Sequence, residues 1–234
     1  MSYLITGIQQ VGIGVDNMEE AWRWYRKQFG MDVPIFRDAG EATLMAPYTG
    51  GAGQKRTAVL AASLHGGGAF EVWQFTERTP APPLDEFQIG DLGVNAVIVK
   101  SRDIDKSFDL HRRNGIAAAQ SIARLPNGLR AYGVRDPYGN SFFIEESDEV
   151  FLKTTHSVGG IKAALVGVSD IEKARRLYGD VLGYTEVVFD QQGVFEDFSP
   201  MPGGASSFRR VRLAPKESRK GGLSRLFGSS YVEL

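Results

Sequence analysis

One segment of this 234-residue chain occurs twice and is echoed a third time. Val15, Glu19, Ala21, Arg23, Tyr25 and Gly30 recur as Val168, Glu172, Ala174, Arg176, Tyr178 and Gly183, always 153 residues further on. A weaker copy, Asp103-Ile104-Asp105-Lys106-Ser107-Phe108-Asp109-Leu110-His111, lies between them. Long-range self-similarity marks a chain built by repeating one supersecondary unit, so it limits the fold before any single motif is read.

Each copy has the same physical grammar. In the first, Val11, Ile13 and Val15 alternate with Gln10, Gly12 and Gly14, the period of a strand with one apolar face. Asn17 then stands where a helix cap belongs, with Glu20 three residues on. Met18, Ala21, Trp22, Tyr25 and Phe29 share one helical face before Gly30 stops the helix. The third copy repeats this with Asp170, Ile171, Ala174, Tyr178, Leu182 and Gly183; the middle copy ends at Gly115. Ala42 to Met45, Ala58 to Ser63, Ala69 to Phe75, Arg130 to Arg135 and Ser141 to Glu145 read as strands between Gly-rich turns. The unit is therefore strand, helix, then about three strands, an α+β design whose single sheet must pair to bury its second face.

Two linkers set the boundaries. Residues 1–75 form the first module, Thr76 to Asp91 a linker with three prolines, and 92–146 the second module. Residues 147–158 form a polar linker and 159–234 the third module. In the first linker Ala81-Pro82-Pro83 disfavours both helix and central strand and should cross the surface. Modules 1 and 2 are expected to pair. Module 3 would then take a partner from a second protomer or from a fourth module outside the chain, the two favoured outcomes, or else pack against the first two modules.

Composition narrows function mainly by exclusion. With 42% hydrophobic residues and a net charge of −1, the chain carries no global field for nucleic acid or a membrane surface. No apolar run approaches the roughly 18 residues of a membrane span, and no signal peptide pattern precedes the first strand, so a cytoplasmic location is expected. The absence of cysteine removes disulfides, thiolate metal sites and a Cys nucleophile.

The segments GIQQVGIGVDNMEEAWRWYRKQFG, GGGAFEVWQF, RAYGVRDPYGNSFFIEE and GGIKAALVGVSDIEKARRLYGDVLGY together resemble the vicinal oxygen chelate superfamily, which includes glyoxalases, bleomycin resistance proteins and extradiol dioxygenases. The resemblance covers nearly the whole chain. It implies βαβββ modules whose paired sheets curl around a cavity. It also implies, in metal-using members, one ligand from each module's first strand, usually His, and one Glu from its last strand.

Carried over residue by residue, that pattern survives in part. Gln10 and Glu71 hold the two positions in module 1, while module 2 offers Asn95 and Phe143, with Glu145 two residues beyond on the same face. Module 3 offers Ala163 and Glu233. The metal candidates are thus Gln10, Glu71 and Glu145, for one divalent ion among Zn, Ni, Fe, Mn and Mg; without an imidazole the donor set favours no metal at all. Glu71, flanked by Trp73 and Phe75 on its face, is the candidate general base, or else a carboxylate hydrogen-bonded at the rim. Trp73, Phe75, Asn95, Tyr132 and Phe143 are the candidate substrate contacts.

The other patterns carry less. His111 aligns with Tyr25 and Tyr178 and so reads as a helix packing residue; His65 falls in a turn and His156 in the linker. Thr49 to Lys55 has glycines but not the spacing of a phosphate loop. Arg209, Arg210, Arg212, Lys216, Arg219, Lys220 and Arg225 read as a solvated basic hairpin or an anion-binding surface. Two functions remain. One is a glyoxalase- or dioxygenase-like lyase or isomerase acting on a small oxygen-rich molecule between modules 1 and 2. The other is a metal-free protein that binds or sequesters a small molecule, and either is expected to work as a homodimer or with a fourth module.

Overall fold

A computed structural model describes residues 3–81, 83–116 and 120–234; Pro82 of the first linker lies outside them. Module 1 comprises β1 (Gln10–Gly14), α1 (Met18–Phe29), β2 (Val33–Glu41), β3 (Lys55–Ala62) and β4 (Ala69–Phe75). Module 2 comprises β5 (Gly93–Ser101), α2 (Ile104–Arg113), β6 (Ala123–Arg124), β7 (Arg130–Arg135) and β8 (Ser141–Glu146). Module 3 comprises β9 (Val158–Gly167), α3 (Ile171–Arg176, extended by a π turn, Leu177–Val181), β10 (Glu186–Gly193), β11 (Phe208–Ala214), α4 (Ser224–Phe227) and β12 (Tyr231–Glu233). Mixed α and β elements in curled sheets are thus built three times from one pattern. Among the described residues no helix is long and apolar enough to cross a membrane.

The helix caps act as the repeat requires. The side chains of Asn17, Asp103 and Asp170 accept the amides of Glu20, Lys106 and Lys173 at 3.2, 3.0 and 3.0 Å. Gly30 ends α1 in the left-handed conformation, φ 58°, which a side chain would strain. One local expectation fails. Ala42 to Met45, expected as a strand, falls in a 3-10 turn, Thr43–Tyr48, that contains Pro47, because β2 already runs from Val33 to Glu41.

The pairing of modules also differs from the sequence reading. Module 1 forms a separate four-stranded sheet in the order β1-β4-β3-β2, whereas modules 2 and 3 share one eight-stranded sheet, β10-β11-β12-β9-β5-β8-β7-β6. Its seam is the antiparallel pair β5 and β9, running from Gly93 opposite Gly167 to Ser101 opposite Val158. The reason lies in composition: β5 and β9 bury Ala96, Val97, Ile98, Val99, Ile161, Ala163 and Leu165 on both faces, as central strands do. β1, with Gly12 and Gly14 on one face, is an edge. Module 3 therefore has its partner, and module 1 is the unit whose sheet stands alone.

Modules 1 and 2 meet through their helix-packed faces. Tyr25, Phe29 and Phe70 of module 1 and Phe142, Ile144 and Tyr132 of module 2 join one buried core. Each such ring removed from water contributes about 1.5–3 kcal/mol. The Asp136-Pro137-Tyr138-Gly139-Asn140 turn joins this core. Asp136 accepts from the amides of Tyr138 and Asn140 at 2.9 and 2.8 Å and from the Tyr25 hydroxyl at 2.5 Å. At the opposite end, the turn after β3 lies against the start of β9, where the amide of Ile161 donates to the carbonyl of Gly67 at 2.9 Å. A Cβ on Gly160 would come within 2.2 Å of the Gly66 backbone, which explains both glycine runs.

Candidate functional site

Gln10 and Glu71 come together as the sequence suggests. β1 and β4 run parallel with Gly12 opposite Glu71, so Gln10 lies diagonal to Glu71 on the face turned away from α1. Its amide Nε2 donates to Glu71 Oε2 at 2.7 Å. Trp73 and Phe75 continue the same face with ring centres 5.0 Å apart, edge to face. The glycines of β1 make room for this arrangement: a Cβ on Gly14 would touch the Trp73 indole at 3.4 Å. All four side chains are partly exposed, and among the described residues no cation pairs with Glu71. The result is an amide, a carboxylate and two aromatic rings on one open sheet face.

The module 2 candidates behave differently. Tyr132 points to the opposite side of its strand, fully buried, with its hydroxyl 2.9 Å from His111 Nδ1. It is a core residue and not a substrate contact, because alternation along β7 puts Gly133, not Tyr132, opposite Phe143 on the concave face. Asn95 is the extra residue of a bulge, since Val94 pairs with Val166 and Ala96 with Leu165. The bulge shifts alternation by one, so Ala96 faces the concave side. Asn95 instead ties its own loop, accepting from Gly90 at 2.6 Å and donating to Asp91 and Gly93 at 2.7 and 3.0 Å. The recess between modules 1 and 2 measures 340 Å³ and is lined by Val11, Ile13, Phe87, Asn95, Tyr138 and Phe142, with no carboxylate among the described residues around it.

Phe143 and Glu145 do face the concave side, but that side is filled. The connection from β10 to β11 inserts Phe195, Phe198 and Met201, and Phe198 lies against Phe143 with ring centres 5.3 Å apart. Gly133 leaves space for this plug: a Cβ there would meet the Met201 sulfur at 2.7 Å. Beneath it Glu145 is 1% exposed and pairs with Arg212 and with Lys162 Nζ at 2.7 Å. Neither residue is open to a ligand.

This interior holds charges that sequence reasoning misplaced. Arg210 and Arg212, read as part of a solvated hairpin, are buried with Glu233 and Asp197. Arg212 Nε donates to Glu233 Oε2 at 2.7 Å, Arg210 Nε to Glu233 Oε1 at 2.7 Å, and Arg210 Nη1 to Asp197 Oδ1 at 2.8 Å. The Arg210 guanidinium also lies 3.8 Å from the centre of the Phe198 ring. Burial opposes ionisation of Glu233, but Arg212 and Arg210 outweigh it and hold its pKa below the ordinary range. Burial raises the pKa of Asp197 despite Arg210. Arg210 and Arg212 alternate with Val211 and Leu213, and that period is the signal that places both arginines on the concave face. Lys162 has no such signal, because it is the bulge residue between Ala163 and Ile161.

The histidines take no part in a ligand set. His111 packs under α1, with Nε2 3.0 Å from the Gln28 carbonyl, and burial lowers its pKa. His65 is buried in the turn after β3, and His156 faces Asp32 at 3.3 Å. The residues present do not fit a resident metal. The carboxylates of Glu145 and Glu233 are already neutralised by Arg210, Arg212 and Lys162, while module 1 offers only the Gln10 carbonyl and Glu71. Among the described residues no three His, Cys, Asp or Glu side chains are grouped to hold an ion.

Known structures share this architecture at low sequence identity. The structure of a glyoxalase family protein from Bacillus cereus matches with 17% identity and a TM-score of 0.51, over 62% of this chain and 95% of that one. A glyoxalase I mutant from Zea mays matches at 13% identity and a TM-score of 0.56, over 97% of this chain and 67% of that one. A putative dioxygenase from Bacillus subtilis matches at 12% identity and a TM-score of 0.61, over 99% and 64%. The chain thus spans about two thirds of the length of the latter two. No curated protein matches its sequence. The model of the Glyoxalase/Bleomycin resistance protein/Dioxygenase superfamily matches residues 7–144, and the chain belongs to that superfamily.

Proposed function

We propose that the protein acts on a small oxygen-rich molecule at the open face of module 1, as a lyase or isomerase in which Glu71 moves a proton and no metal takes part. The observation that carries this reading is the Gln10 and Glu71 pair: a carboxylate with no cationic partner among the described residues, oriented by an amide and bordered by Trp73 and Phe75. Gln10 fixes Glu71 Oε2, which leaves Oε1 to accept a proton from a carbon next to a carbonyl and return it to the neighbouring atom. Trp73 and Phe75 would hold the apolar part of the molecule. An open face excludes water poorly, so a second βαβββ unit, from another copy of the chain or a further module, would close it. The seam between β5 and β9 is an example within this chain of such a closure.

A second reading rests on the aromatic pair. Trp73 and Phe75 suffice to bind a planar compound without chemistry, as a sequestering protein would. Both readings are tested by thermal shift and Trp fluorescence titration against hydroxy acids, 2-oxo acids, catechols and thioesters. Wild type is expected to respond to at least one class. Glu71→Gln should abolish turnover of that compound and Trp73→Ala should weaken binding at least tenfold. Turnover unchanged by Glu71→Gln defeats the first reading, and binding unchanged by Trp73→Ala defeats both.

A further inference from the structure

Where the last strands of modules 2 and 3 converge, the chain supplies a cation of its own. Arg212 Nη2 lies 2.8 Å from Glu145 Oε2 and 2.6 Å from Glu233 Oε2, so a single nitrogen touches one carboxylate from each module. Nη1 reaches Glu145 Oε1 at 2.8 Å and Nε reaches Glu233 Oε2 at 2.7 Å. Hard divalent ions bind carboxylate oxygens at about 2.0–2.6 Å, so two glutamates held this way stand within a few tenths of an ångström of closing on such an ion. Burial works against the charge on Arg212, yet Glu233 and Glu145 more than compensate and keep it protonated.

We propose that Arg212 is the resident cation of a two-carboxylate site. Its guanidinium fills the place in which Glu145 and Glu233 would otherwise hold a divalent metal ion, and the plug formed by Phe195, Phe198 and Met201 seals it. The buried charges balance around it: Arg210, Arg212 and Lys162 face Glu145, Glu233 and Asp197. A divalent ion entering this neutral set would find every carboxylate engaged. Removing Arg212 and Lys162 together reverses the situation, because one cation then faces three carboxylates, and a divalent ion restores neutrality. Lys162 must go with Arg212, since its ammonium holds Glu145 Oε1 at 2.7 Å.

The test is calorimetric titration with Mn²⁺, followed by thermal unfolding with and without the ion. Glu71→Gln serves as background, so that uptake on the module 1 face is not counted. The background protein is expected to take up no Mn²⁺. Lys162→Met/Arg212→Gln in that background should bind one equivalent of Mn²⁺ and gain at least 5 °C in melting temperature with the ion. Adding Glu145→Gln should remove both effects. The proposal fails if the double substitution folds but takes up no Mn²⁺, or takes it up equally well with Glu145→Gln. It fails also if that protein stays unfolded with Mn²⁺ present, or if the background protein itself binds one equivalent that Glu145→Gln abolishes.

Discussion

Tyr25 of the first module donates its hydroxyl to Asp136 of the second at 2.5 Å, in a buried contact between two elements 111 residues apart in the chain. Burial first, and then the Asp136 charge, push the phenol pKa far above its usual value, so it stays a donor. Asp136 also accepts from Asn140 Nδ2 at 2.7 Å and from two turn amides. Tyr25→Phe should therefore cost about 1.5–3 kcal/mol, one hydrogen bond to a charged group, while Asp136→Ala should cost more by stranding several donors together. Urea denaturation of the two variants measures the difference; equal losses would show that the turn does not depend on Asp136.

Glu145→Gln should be far more damaging than its conservative chemistry suggests. It removes the carboxylate that faces Lys162 and one of the two that face Arg212, both cations being almost fully buried. Leaving a buried cation such as Lys162 without its carboxylate costs about 3–5 kcal/mol. Adding Lys162→Met should recover part of that loss, because one stranded ammonium then disappears. Chemical denaturation of the single and double variants decides; a double variant less stable than Glu145→Gln alone would contradict the assigned pairing.

Glu71→Gln should leave stability within about 0.5 kcal/mol, since the side chain is partly exposed and the new amide can still accept from Gln10. The contrast with Glu145→Gln separates a working face from a structural interior. Thermal unfolding of Glu71→Gln is sufficient to check it.

His65 predicts a pH dependence. Burial, followed by the nearby charges of Arg102, His156 and Lys100, lowers its pKa from 6.5 to about 4. The unfolded chain then binds the proton more readily than the folded one between these values. Stability is full above pH 6.5 and falls as pH drops toward 4, by about 2 kcal/mol once solvent screening is allowed for. His111, also lowered by burial, adds in the same direction. His65→Gln should flatten the curve between pH 6.5 and 4; an unchanged slope would remove His65 as its source.

The repeat, the three helix caps and the strand carrying Glu71 were legible because each rests on local periodicity or capping chemistry. The misplacements have equally specific causes. Asn95 sits at a bulge, which shifts alternation without any mark in the residue type, and Lys162, which no pattern singles out, sits at another. Tyr132 lies in a regular strand, and its face follows from the register that sets it opposite Ile144 and Gly133 opposite Phe143, which the residue types alone do not fix. The choice of partner for module 2 is a comparison of β1 with β9, and the glycines of β1 against the apolar run of β9 already held the answer. The plug over Phe143 was out of reach, since Phe195, Phe198 and Met201 come from an irregular connection with no period to read.

The seam between β5 and β9 also sets the order in which this chain can be completed. β5 emerges during synthesis with its nine-residue outer edge bare, and the strand that covers it follows only after the second linker. Until then modules 1 and 2 present an apolar strand edge of the kind that recruits other chains. A protein cut between Glu146 and Val158 would keep that edge for good, even though it retains all of residues 7–144. The third module, which carries no part of the proposed working face, thus covers the strand edge of module 2 that would otherwise lie bare along β5.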